Sequence, residues 1–575
     1  MVKIMKLLFK YFRKYKVETI LAPTFKLLEA IIDLFIPMII ALIIDKGIHG
    51  NNPSFIIKMF LLLMGCAFVG LFFSILGQYF SAKTATFISS EIREDLFIKL
   101  QNISFSQIDQ IGTSTMITRM TSDINSIQTG INLSLRLLLR SPFVVFGAAI
   151  FGTIIAVDIS YIFWIAILIL SIIIFTIMLY GMKLHKKQQR NLDQLVSITR
   201  DNLYGVRVIR AFTREEEEIK EFECASDKLN KAQNKAAILS NLLNPFTYII
   251  INIAIVVLIH FSIVEFKLGN LEQGDVVALY NYMGQILVEL IKLANLIITI
   301  TKSLASSKRI KSIFDLDDII PKFNTSEKID DFIKFDNVSF KYALNSEESL
   351  KNINFTINKG ETIGIIGSTG SGKTTILNLI MRHYDVNGGV IYYDGKDIRN
   401  YSPDELVDKI GIALQNTDLF SGTIRENIVM GNDKVTEEEI LYACRVAQCL
   451  DIINSKEKGL DSIVEQKGKN FSGGQKQRIC MARAIVKKPE LLIFDDSTSA
   501  LDYLTDSKFR MALKKLEYNP TIIIVSQRTS SILSADKILV LEDGEQIAFD
   551  NHNNLMKNCE IYQEIYYSQF EKDGE

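Results

Sequence analysis

The sequence predicts two domains of different class: an all-α domain of six membrane-spanning helices, followed by an α/β domain of the P-loop type. Six apolar segments of about 20 residues or more fall before residue 305, and the connections between them alternate in length. Beyond residue 333, apolar and polar residues alternate, and a Gly-rich loop stands between a strand and a helix. We therefore expect a transmembrane domain at 1–305, a polar linker at 306–332 and the α/β domain at 333–575.

The overall composition fits a membrane protein with a large soluble part. The 575 residues are 48% hydrophobic and carry a formal net charge of −1, which excludes a generally basic nucleic-acid-binding protein. No nucleic-acid partner is therefore expected. The six cysteines are scattered without a Cys-x-x-Cys pair, so the sequence indicates neither a zinc site nor a disulfide framework.

The connections between the apolar segments indicate how the chain crosses the membrane. The two long connections, 83–135 and 183–237, hold most of the Lys and Arg and are helical in pattern, whereas 46–55 and 265–274 are short. Loops rich in Lys and Arg stay preferentially in the cytosol, and the basic N-terminus has no signal cleavage site. We therefore expect a multi-pass protein of the cell (plasma) membrane with N- and C-termini in the cytosol. The spans are placed near 18–45, 56–82, 136–157, 159–182, 238–264 and 275–302.

Polar residues recur at helical spacing inside two of the predicted spans: Lys26, Glu29 and Asp33 in the first, and Gln285, Glu289 and Lys292 in the last. Charges in a bilayer are costly and usually face protein or water. Two interpretations stay open: the residues line a substrate path, which we consider mainly for Asp33 and Glu289, or they form internal salt bridges. Arg136 and Arg140 lie at the cytosolic edge of the third span, where we expect them to snorkel toward lipid headgroups.

The Gly-rich loop of the second domain predicts a nucleotide site. It follows an apolar strand and precedes the helical run that begins at Thr375, which is the context that a P-loop requires. Its glycines let backbone N–H groups close around phosphates, and the helix N-terminus adds partial positive charge. We expect Lys373 to contact the outer phosphates of ATP, and Thr374 to ligate Mg²⁺ together with Asp495, which ends a later apolar strand. The loop consists of Gly367, Ser368, Thr369, Gly370, Ser371, Gly372, Lys373 and Thr374.

Further motifs follow in an order that points to a family. Tyr342 precedes the P-loop and Gln415 follows it, while the segments 471–475 and 499–502 stand on either side of the strand that ends at Asp495. In this order the α/β domain resembles the nucleotide-binding domain of an ABC transporter. The whole chain resembles a bacterial ABC exporter half-transporter (type IV) of the multidrug and lipid type. Two stretches of the long connections, 112–123 and 201–212, are similar to the cytosolic loops that carry coupling helices in such exporters.

The resemblance implies roles for the remaining motif residues. Tyr342 would stack on adenine, and Gln415 would touch Mg²⁺ or the attacking water. In this family each ATP is held between the P-loop of one chain and the signature motif of a second chain. The signature motif here consists of Phe471, Ser472, Gly473, Gly474 and Gln475, with Phe471 in place of the usual Leu.

Two positions depart from the family pattern where hydrolysis is carried out. Asp496 stands where the family has a glutamate that orients or deprotonates the attacking water, and Gln527 stands where it has a histidine near the γ-phosphate. Asp is one methylene shorter than Glu, and a displacement of about 1 Å in such a group can cost about a hundredfold in rate. Glutamine can form a hydrogen bond but cannot become cationic. Gln466, at a position where family members often have Glu, is a third departure.

These departures predict a chain that binds ATP, hydrolyses it poorly at its own site, and offers a sound signature motif to a partner. The most economical arrangement is a heterodimeric exporter whose second ABC half-transporter has the intact Glu and His. Two alternatives stay open: a homodimeric exporter in which Asp496 acts as a weak base, and an ATP-gated channel or sensor. Fold does not specify cargo, but the spans suit amphipathic or hydrophobic substrates such as drugs, lipids or peptides, in contact with membrane lipid.

Overall fold

The computed structural model of the chain divides into two compact units. Unit 1 comprises Met1–Asn102 and Gly112–Leu316, and unit 2 comprises Ile103–Ile111 and Asp317–Glu575. The limits that the sequence predicts for the domains stay a prediction, and residues 317–329 of the predicted linker lie outside the described residues. The structure describes residues 9–316, 330–342, 347–415, 418–432 and 434–570, without the side chains of Leu243, Pro403 and Asp404.

Unit 1 is built of helices. In chain order, the helices before residue 315 are α1 (Lys16–Leu42), α2 (Pro53–Asn102), α3 (Phe105–Ile111), α4 (Thr113–Thr118), α5 (Ile124–Leu137), α6 (Arg140–Ile155), α7 (Tyr161–Ala211), α8 (Glu215–Lys267) and α9 (Gln273–Phe314). All of them except α3 lie in unit 1. π-Helical turns at Ile43–His49 and Arg119–Asp123 continue α1 and α4, and a 3-10 turn at Val157–Ile159 joins α6 to α7.

Six helical stretches of the described chain are long and apolar enough to cross a bilayer, so the prediction of an all-α domain with six spans is confirmed. The helix α2 has 50 residues, which at 1.5 Å per residue is about 75 Å, whereas the hydrocarbon core is about 30 Å thick. The long connections are therefore helical extensions of the spans. The helix α9 likewise runs on to Phe314, so the first residues of the predicted linker are helical.

Arg140 does not snorkel to lipid headgroups, and that prediction was wrong. Its Nη1 lies 2.7 Å from Oε1 of Glu289 in α9, and its Nη2 lies 2.8 Å from Oδ2 of Asp33 in α1. Two carboxylates thus offset the cost of removing the guanidinium from water. These partners are 149 and 107 residues away in the chain, so the local sequence held no sign of them. For Arg136, snorkelling stays a prediction.

The other charged residues of the spans extend this network. Lys26 pairs with Glu29 at 2.5 Å, and Lys292 pairs with Glu289 at 2.8 Å. The amide of Gln285 donates to the backbone carbonyl of residue 33 at 3.3 Å. The internal salt-bridge interpretation is therefore confirmed for the ion pairs. The network ties α1, α6 and α9 together at positions that are far apart in sequence.

Unit 2 is an α/β domain built around a ten-stranded sheet in its described part. The strands are β1 (Ile333–Phe340), β2 (Leu350–Ile357), β3 (Thr362–Gly367), β4 (Gly388–Tyr393), β5 (Lys396–Asp397), β6 (Ile410–Ala413), β7 (Gly422–Thr423), β8 (Ile463–Val464), β9 (Leu491–Asp495), β10 (Thr521–Val525), β11 (Lys537–Glu542) and β12 (Glu545–Asp550). The order in the large sheet is β5-β4-β1-β2-β12-β11-β3-β10-β9-β6, and β7 pairs with β8 separately. The strands β11, β3, β10, β9 and β6 run parallel, whereas β4, β1 and β2 are antiparallel.

Several helices of unit 2 begin at side-chain caps that the sequence can show. Ser472 and Gln475 form a reciprocal capping box at one helix start, and Thr436 and Glu439 form another. After α3, the helices of this unit are α10 (Lys373–Ile380), α11 (Pro403–Lys409), α12 (Ile424–Val429), α13 (Glu437–Val446), α14 (Leu450–Asn454), α15 (Gly473–Val486), α16 (Tyr503–Leu513), α17 (Thr529–Ile532), α18 (His552–Asn558) and α19 (Glu560–Tyr567), with 3-10 turns at Ile398–Asn400, Gly459–Asp461 and Gln466–Gly468.

The central parallel strands position the loops of the predicted site. All residues of β9 and β10 are buried, as expected for strands that are covered on both faces. Val525 of β10 pairs with Ile365 of β3 on one side and with Asp495 of β9 on the other. Because parallel strands end at the same edge of a sheet, the loops that follow Gly367, Asp495 and Val525 meet there.

One short segment of the first long connection belongs to unit 2. The Phe105 ring of α3 packs against His383 with ring centroids 4.1 Å apart, and the Tyr384 hydroxyl donates to the Asp109 carboxylate. Burial lowers the pKa of His383, so the imidazole packs as a neutral ring. The stretch 112–123, which resembles a coupling loop, follows this segment and lies in unit 1.

Candidate nucleotide-binding site

A cleft of about 960 Å³ opens in unit 2 where the central parallel strands end. It brings together most of the residues that the sequence predicts for ATP and Mg²⁺, although they are spread over nearly two hundred positions of the chain. The lining includes Tyr342, Thr369, Gly370, Gly372, Lys373, Thr374, Thr375, Gln415, Asp495, Asp496 and Gln527. Gly367, Ser368 and Ser371 complete the P-loop behind this surface, and Ser371 is buried.

The P-loop has the backbone that its glycines were expected to allow. Gly372 has a φ of +97°, and a Cβ at this position would lie 2.5 Å from a methyl carbon of Leu350. Lys373 begins α10, and its Nζ donates to the carbonyl oxygens of Gly367 at 2.9 Å and Ser368 at 2.6 Å. These bonds hold the ammonium over the loop, where the N-terminus of the helix also favours phosphate.

The donor set at the base of the cleft fits Mg²⁺. The Thr374 hydroxyl donates to Oδ2 of the buried Asp495 at 3.3 Å. Burial raises the pKa of Asp495, the Thr374 hydrogen bond lowers it, and repulsion from Asp496 raises it further. Within the described ranges, no group of three or more His, Cys, Asp and Glu side chains could hold a metal. One hydroxyl and one or two carboxylates, completed by phosphate and water oxygens, is how Mg²⁺ is usually bound.

Tyr342 lines the cleft, and the residue is 41% exposed. Its hydroxyl lies 3.1 Å from Oγ1 of Thr375 and accepts from the Asn378 amide at 3.3 Å. The ring packs edge-on against Tyr384, with centroids 5.0 Å apart. These contacts orient the ring and leave a face free to stack on a flat base, which agrees with the expected adenine contact.

Asp496, which the sequence analysis assigns to the control of an attacking water, lines the cleft. Its φ is +45°, a left-handed conformation, and its N–H donates to the carbonyl of Val525 at 2.9 Å. Its Oδ2 accepts from the Gln415 amide at 3.4 Å. Burial raises the pKa of Asp496, while the Gln415 hydrogen bond and the charge of Arg528 lower it. The short carboxylate is therefore held at the cleft wall by a strand end and by Gln415.

The loop that carries Gln527 is held by a residue that the sequence reasoning missed. The Gln569 amide donates to the carbonyl of Gln527 at 2.7 Å, and its Oε1 accepts from the N–H of Thr529 at 2.9 Å. Gln569 follows α19, near the C-terminal end of the described chain, and is 42 residues from Gln527. A lone surface Gln carries no motif, so only the folded chain shows this contact.

The signature motif lies elsewhere in the unit. None of the residues 471–475 is among the described residues that line the cleft. Ser472 and Gln475 cap α15, while the Phe471 side chain is buried beneath the motif. A Cβ on Gly474 would lie 3.0 Å from the carbonyl oxygen of Ala500, so the glycine lets the helix start approach the 499–502 segment closely. The motif is thus separate from the P-loop of its own chain.

The 499–502 segment connects the signature helix to the Gln527 loop. The Gln477 side chain of α15 donates to Oγ of Ser499 at 3.3 Å and accepts from the N–H of Ala500 at 3.1 Å. From the other side, Nη2 of Arg528 donates to the carbonyl of Ser499 at 2.9 Å. A continuous set of hydrogen bonds therefore runs from Gln569 through this segment to α15.

Comparisons with known proteins agree with this geometry. The family described as the ABC transporter transmembrane region matches residues 19–290, and the family described as ABC transporter matches residues 350–499. The uncharacterized ABC transporter ATP-binding protein YfiB of Bacillus subtilis (strain 168) is 33% identical over 565 residues, which are 98% of this chain and 98% of that protein. An ATP-dependent lipid A-core flippase of Syntrophus aciditrophicus (strain SB) is 31% identical, over 91% of this chain and 86% of that protein.

A solved structure shows the same fold. The structure of a bacterial Atm1-family ABC exporter with ATP bound has a TM-score of 0.82 to this chain at 24% identity, and covers 98% of this chain and 99% of the other. The fold and the site thus define an ATPase-coupled membrane transporter that carries its spans and its ATP-binding domain in one chain. More particularly, the chain belongs to the ABC transporter family and is a half-transporter with the fold of an ABC exporter. The predicted fold class and enzyme class are confirmed.

Proposed function

We propose that this chain is one subunit of a heterodimeric ABC exporter, where it binds ATP at a degenerate site and supplies its signature motif to the hydrolytic site of an unlike partner. The main support is the composition of the cleft. The P-loop is complete, yet Asp496 and Gln527 stand where the family has glutamate and histidine. The signature motif, in contrast, keeps Ser472 and both glycines.

In this proposal the cleft holds ATP by its phosphates and its base. Lys373 and the N–H groups of the P-loop bind the phosphates, Thr375 lies in the first turn of the helix beneath them, and Tyr342 stacks on adenine. Thr374 and Asp495 hold Mg²⁺, which when bound neutralises phosphate charge. Gln415 lies 3.4 Å from Asp496 and orients that carboxylate.

Hydrolysis at this cleft is proposed to be slow because of two side chains. The Asp496 carboxylate is a methylene short of the position that a glutamate would reach, and a water-orienting group is sensitive to such displacement. Gln527 offers a neutral hydrogen bond to the γ-phosphate and cannot offset developing negative charge as an imidazolium can. ATP bound here would act mainly by holding two chains together.

The membrane task that we propose is export of amphipathic or hydrophobic substrates across the cell membrane, with both termini in the cytosol. Drugs, lipids and hydrophobic peptides remain the candidate cargo, so multidrug efflux and lipid translocation are both included. The similarity to proteins named ATP-dependent lipid A-core flippases supports an apolar or lipid-like cargo. The apolar composition of the spans of unit 1 supports the same class of cargo.

Nucleotide binding and turnover of the purified chain test the proposal. We expect Mg-ATP to bind, binding to be lost in Lys373→Ala, and turnover to stay well below the typical enzyme value of about 10 s⁻¹. The double variant Asp496→Glu with Gln527→His should raise turnover at least about tenfold, since a positioned general base contributes about 10²- to 10⁴-fold. Wild-type turnover of several per second, unchanged in the double variant, would instead favour a homodimer in which Asp496 is the base.

A further inference from the structure

A cavity in unit 1 has a distinctive chemistry. It lies among α1, α6, α8 and α9 and has a volume of about 450 Å³, which is within the range of about 300–1,000 Å³ that is typical of ligand pockets. Part of its wall is aliphatic, formed by Ile36, Val144, Ile255 and Val288. The remaining wall is polar, and more of its acceptors than of its donors lack a hydrogen-bond partner within the described part of the protein.

Several donors of the polar wall are already used within the protein, and Nε of Arg140, which has no partner among the described residues, is buried. Nη1 and Nη2 of Arg140 donate to Glu289 and Asp33. The amide nitrogen of Gln285 donates to the carbonyl of Asp33 at 3.3 Å, and that of Asn281 donates to the carbonyl of Val277 at 2.9 Å. A ligand that needs donors, such as a carboxylate or phosphate, therefore finds few of them on this wall.

The acceptors of the wall are less engaged. Asp33 uses Oδ2 for Arg140, and its other oxygen has no partner among the described residues, with the side chain 36% exposed. The side-chain oxygen of Asn281 likewise has no partner in the described part of the chain, although its nitrogen is engaged. Glu289 differs, because its side chain is only 5% exposed and both oxygens are taken by Arg140, Ser141 and Lys292.

An aromatic face completes the polar wall. The Tyr280 side chain lines the cavity and is 50% exposed. Among the described residues, no aromatic ring or cation pairs with its ring. A cation that approaches such a face is attracted by the ring quadrupole. The free oxygen of Asp33 and the free face of Tyr280 thus both favour a positive charge.

We infer that this cavity binds the cationic part of an amphipathic substrate, with the apolar part against the aliphatic wall. This inference rests on the proposed export function and names the charge class of its cargo. The ammonium of the neighbouring Lys292 would favour an anionic ligand instead. Its side chain is 44% exposed, but its ammonium is paired with Glu289 at 2.8 Å, outside the residues that line the cavity.

Two ions of equal shape and opposite charge provide the test. Tetraphenylphosphonium and tetraphenylborate are similar in size and apolar surface, so a difference in binding reports charge. Binding of each would be measured by equilibrium dialysis to the purified full-length transporter in lipid nanodiscs, with empty nanodiscs subtracted. We expect saturable binding of tetraphenylphosphonium and none, or at least tenfold weaker binding, of tetraphenylborate. Equal binding of the two ions, binding of neither, or preference for the borate would overturn the inference.

Two variants locate the binding. Tyr280→Leu removes the aromatic face from an exposed side chain that carries no ion pair, and should weaken tetraphenylphosphonium binding by about 2- to 30-fold. Asp33→Asn keeps the shape and removes the charge, and should weaken it by about tenfold. Asp158→Asn, at an exposed turn away from the cavity, is the matched control and should leave binding unchanged. If Asp33→Asn does not fold, Tyr280→Leu decides, and unaltered binding in that variant contradicts the cavity as the site.

The same preparation separates this inference from the proposed function. Mg-ATP binding is measured in parallel, because it depends on the cleft of unit 2 and not on Asp33 or Tyr280. Normal ATP binding with no preference between the two ions refutes the charge class alone. Selective tetraphenylphosphonium binding without ATP binding refutes the proposed role of the cleft and leaves the cavity assignment standing.

Discussion

The nucleotide cleft of unit 2 and the ion-pair network of unit 1 are both polar sites enclosed by apolar elements, but they are assembled in opposite ways. The cleft uses loops that follow neighbouring parallel strands, and each loop carries a recognisable motif, such as the P-loop before Thr375 or the carboxylates at 495 and 496. The network uses single side chains from three long helices, centred on Arg140. A site built from contiguous motifs can be read along the chain, whereas a site built from isolated residues requires the packing of helices.

The difference also appears in what each site can tolerate. In the proposed ATP site, backbone N–H groups and one lysine would do most of the binding, so a changed side chain such as Asp496 is expected to alter rate without removing the site. In the network, each charge is balanced by a particular partner, and removing one leaves the others uncompensated in an apolar surrounding. Substitutions in the two regions should therefore differ in whether they affect stability or activity.

The largest effect is expected for Arg140→Met, which tests the network. The variant leaves the carboxylates of Asp33 and Glu289 without their shared guanidinium, and breaking a buried ion pair in this way costs about 3–5 kcal/mol. Stability in detergent, measured as the midpoint of thermal loss of monodisperse protein, should fall accordingly. Arg136→Met is the matched control, since Arg136 makes no ion pair among the described residues. Equal midpoints for the two variants would show that the network does not stabilise the bundle.

A smaller effect, on activity, is expected in the cleft and the signature motif. In the complex of this chain with its proposed partner, Ser472→Ala should reduce ATPase rate by about a hundredfold or more, because a lost transition-state donor costs about 10²–10³ in rate. Asp496→Asn should reduce it only slightly, since the site of this chain is proposed to be slow already. Ser472 also caps a helix, so Thr436→Ala, which removes the same kind of cap from α13, serves as the control. If Asp496→Asn silences the complex as fully as Ser472→Ala, the proposed division of labour is wrong.

The smallest effect is expected for Gln569→Ala. This variant tests the hydrogen bonds between Gln569 and the Gln527 loop, which, like the ion-pair network, join residues far apart in the sequence. Loss of its bonds to Gln527 and Thr529 should loosen their loop and weaken ATP binding by about fivefold, because a neutral hydrogen bond contributes about 1 kcal/mol. Hydrogen exchange should show faster exchange of the Thr529 amide, which donates to Gln569. Gln563→Ala is the control, because Gln563 lies in the same segment but donates to the carbonyl of Met556 instead. It should change neither the ATP affinity nor the exchange rate of the Thr529 amide.

Most of the candidate site was predictable because the P-loop ATPase fold imposes strict local requirements. Glycine is needed where φ is +97° at Gly372, a carboxylate is needed where β9 ends, and Ser472 is needed where a helix starts at a close approach to its neighbour. Each requirement involves residues within a few positions of each other. The local motifs therefore indicated the site, and the resemblance to the ABC family implied the two departures at Asp496 and Gln527.

The residues that prediction missed act across long distances in the chain. Arg140 finds its partners 107 and 149 residues away, and Gln569 finds its partner 42 residues away. The segment that contains Phe105 belongs to unit 2, although most of unit 1 lies between Phe105 and His383 in the sequence. A charged or polar residue has many acceptable partners, and its local sequence does not select among them.

By itself, the sequence determined the fold class, the six spans, the P-loop and the family, because hydrophobic length, period and motif order are properties of contiguous segments. Only the tertiary structure decided which charges neutralise each other inside unit 1, which acceptors remain free at its cavity, and which residue holds the Gln527 loop. These are outcomes of helix and loop packing, in which the desolvation of each polar group is offset by whichever partner the fold brings within hydrogen-bond distance.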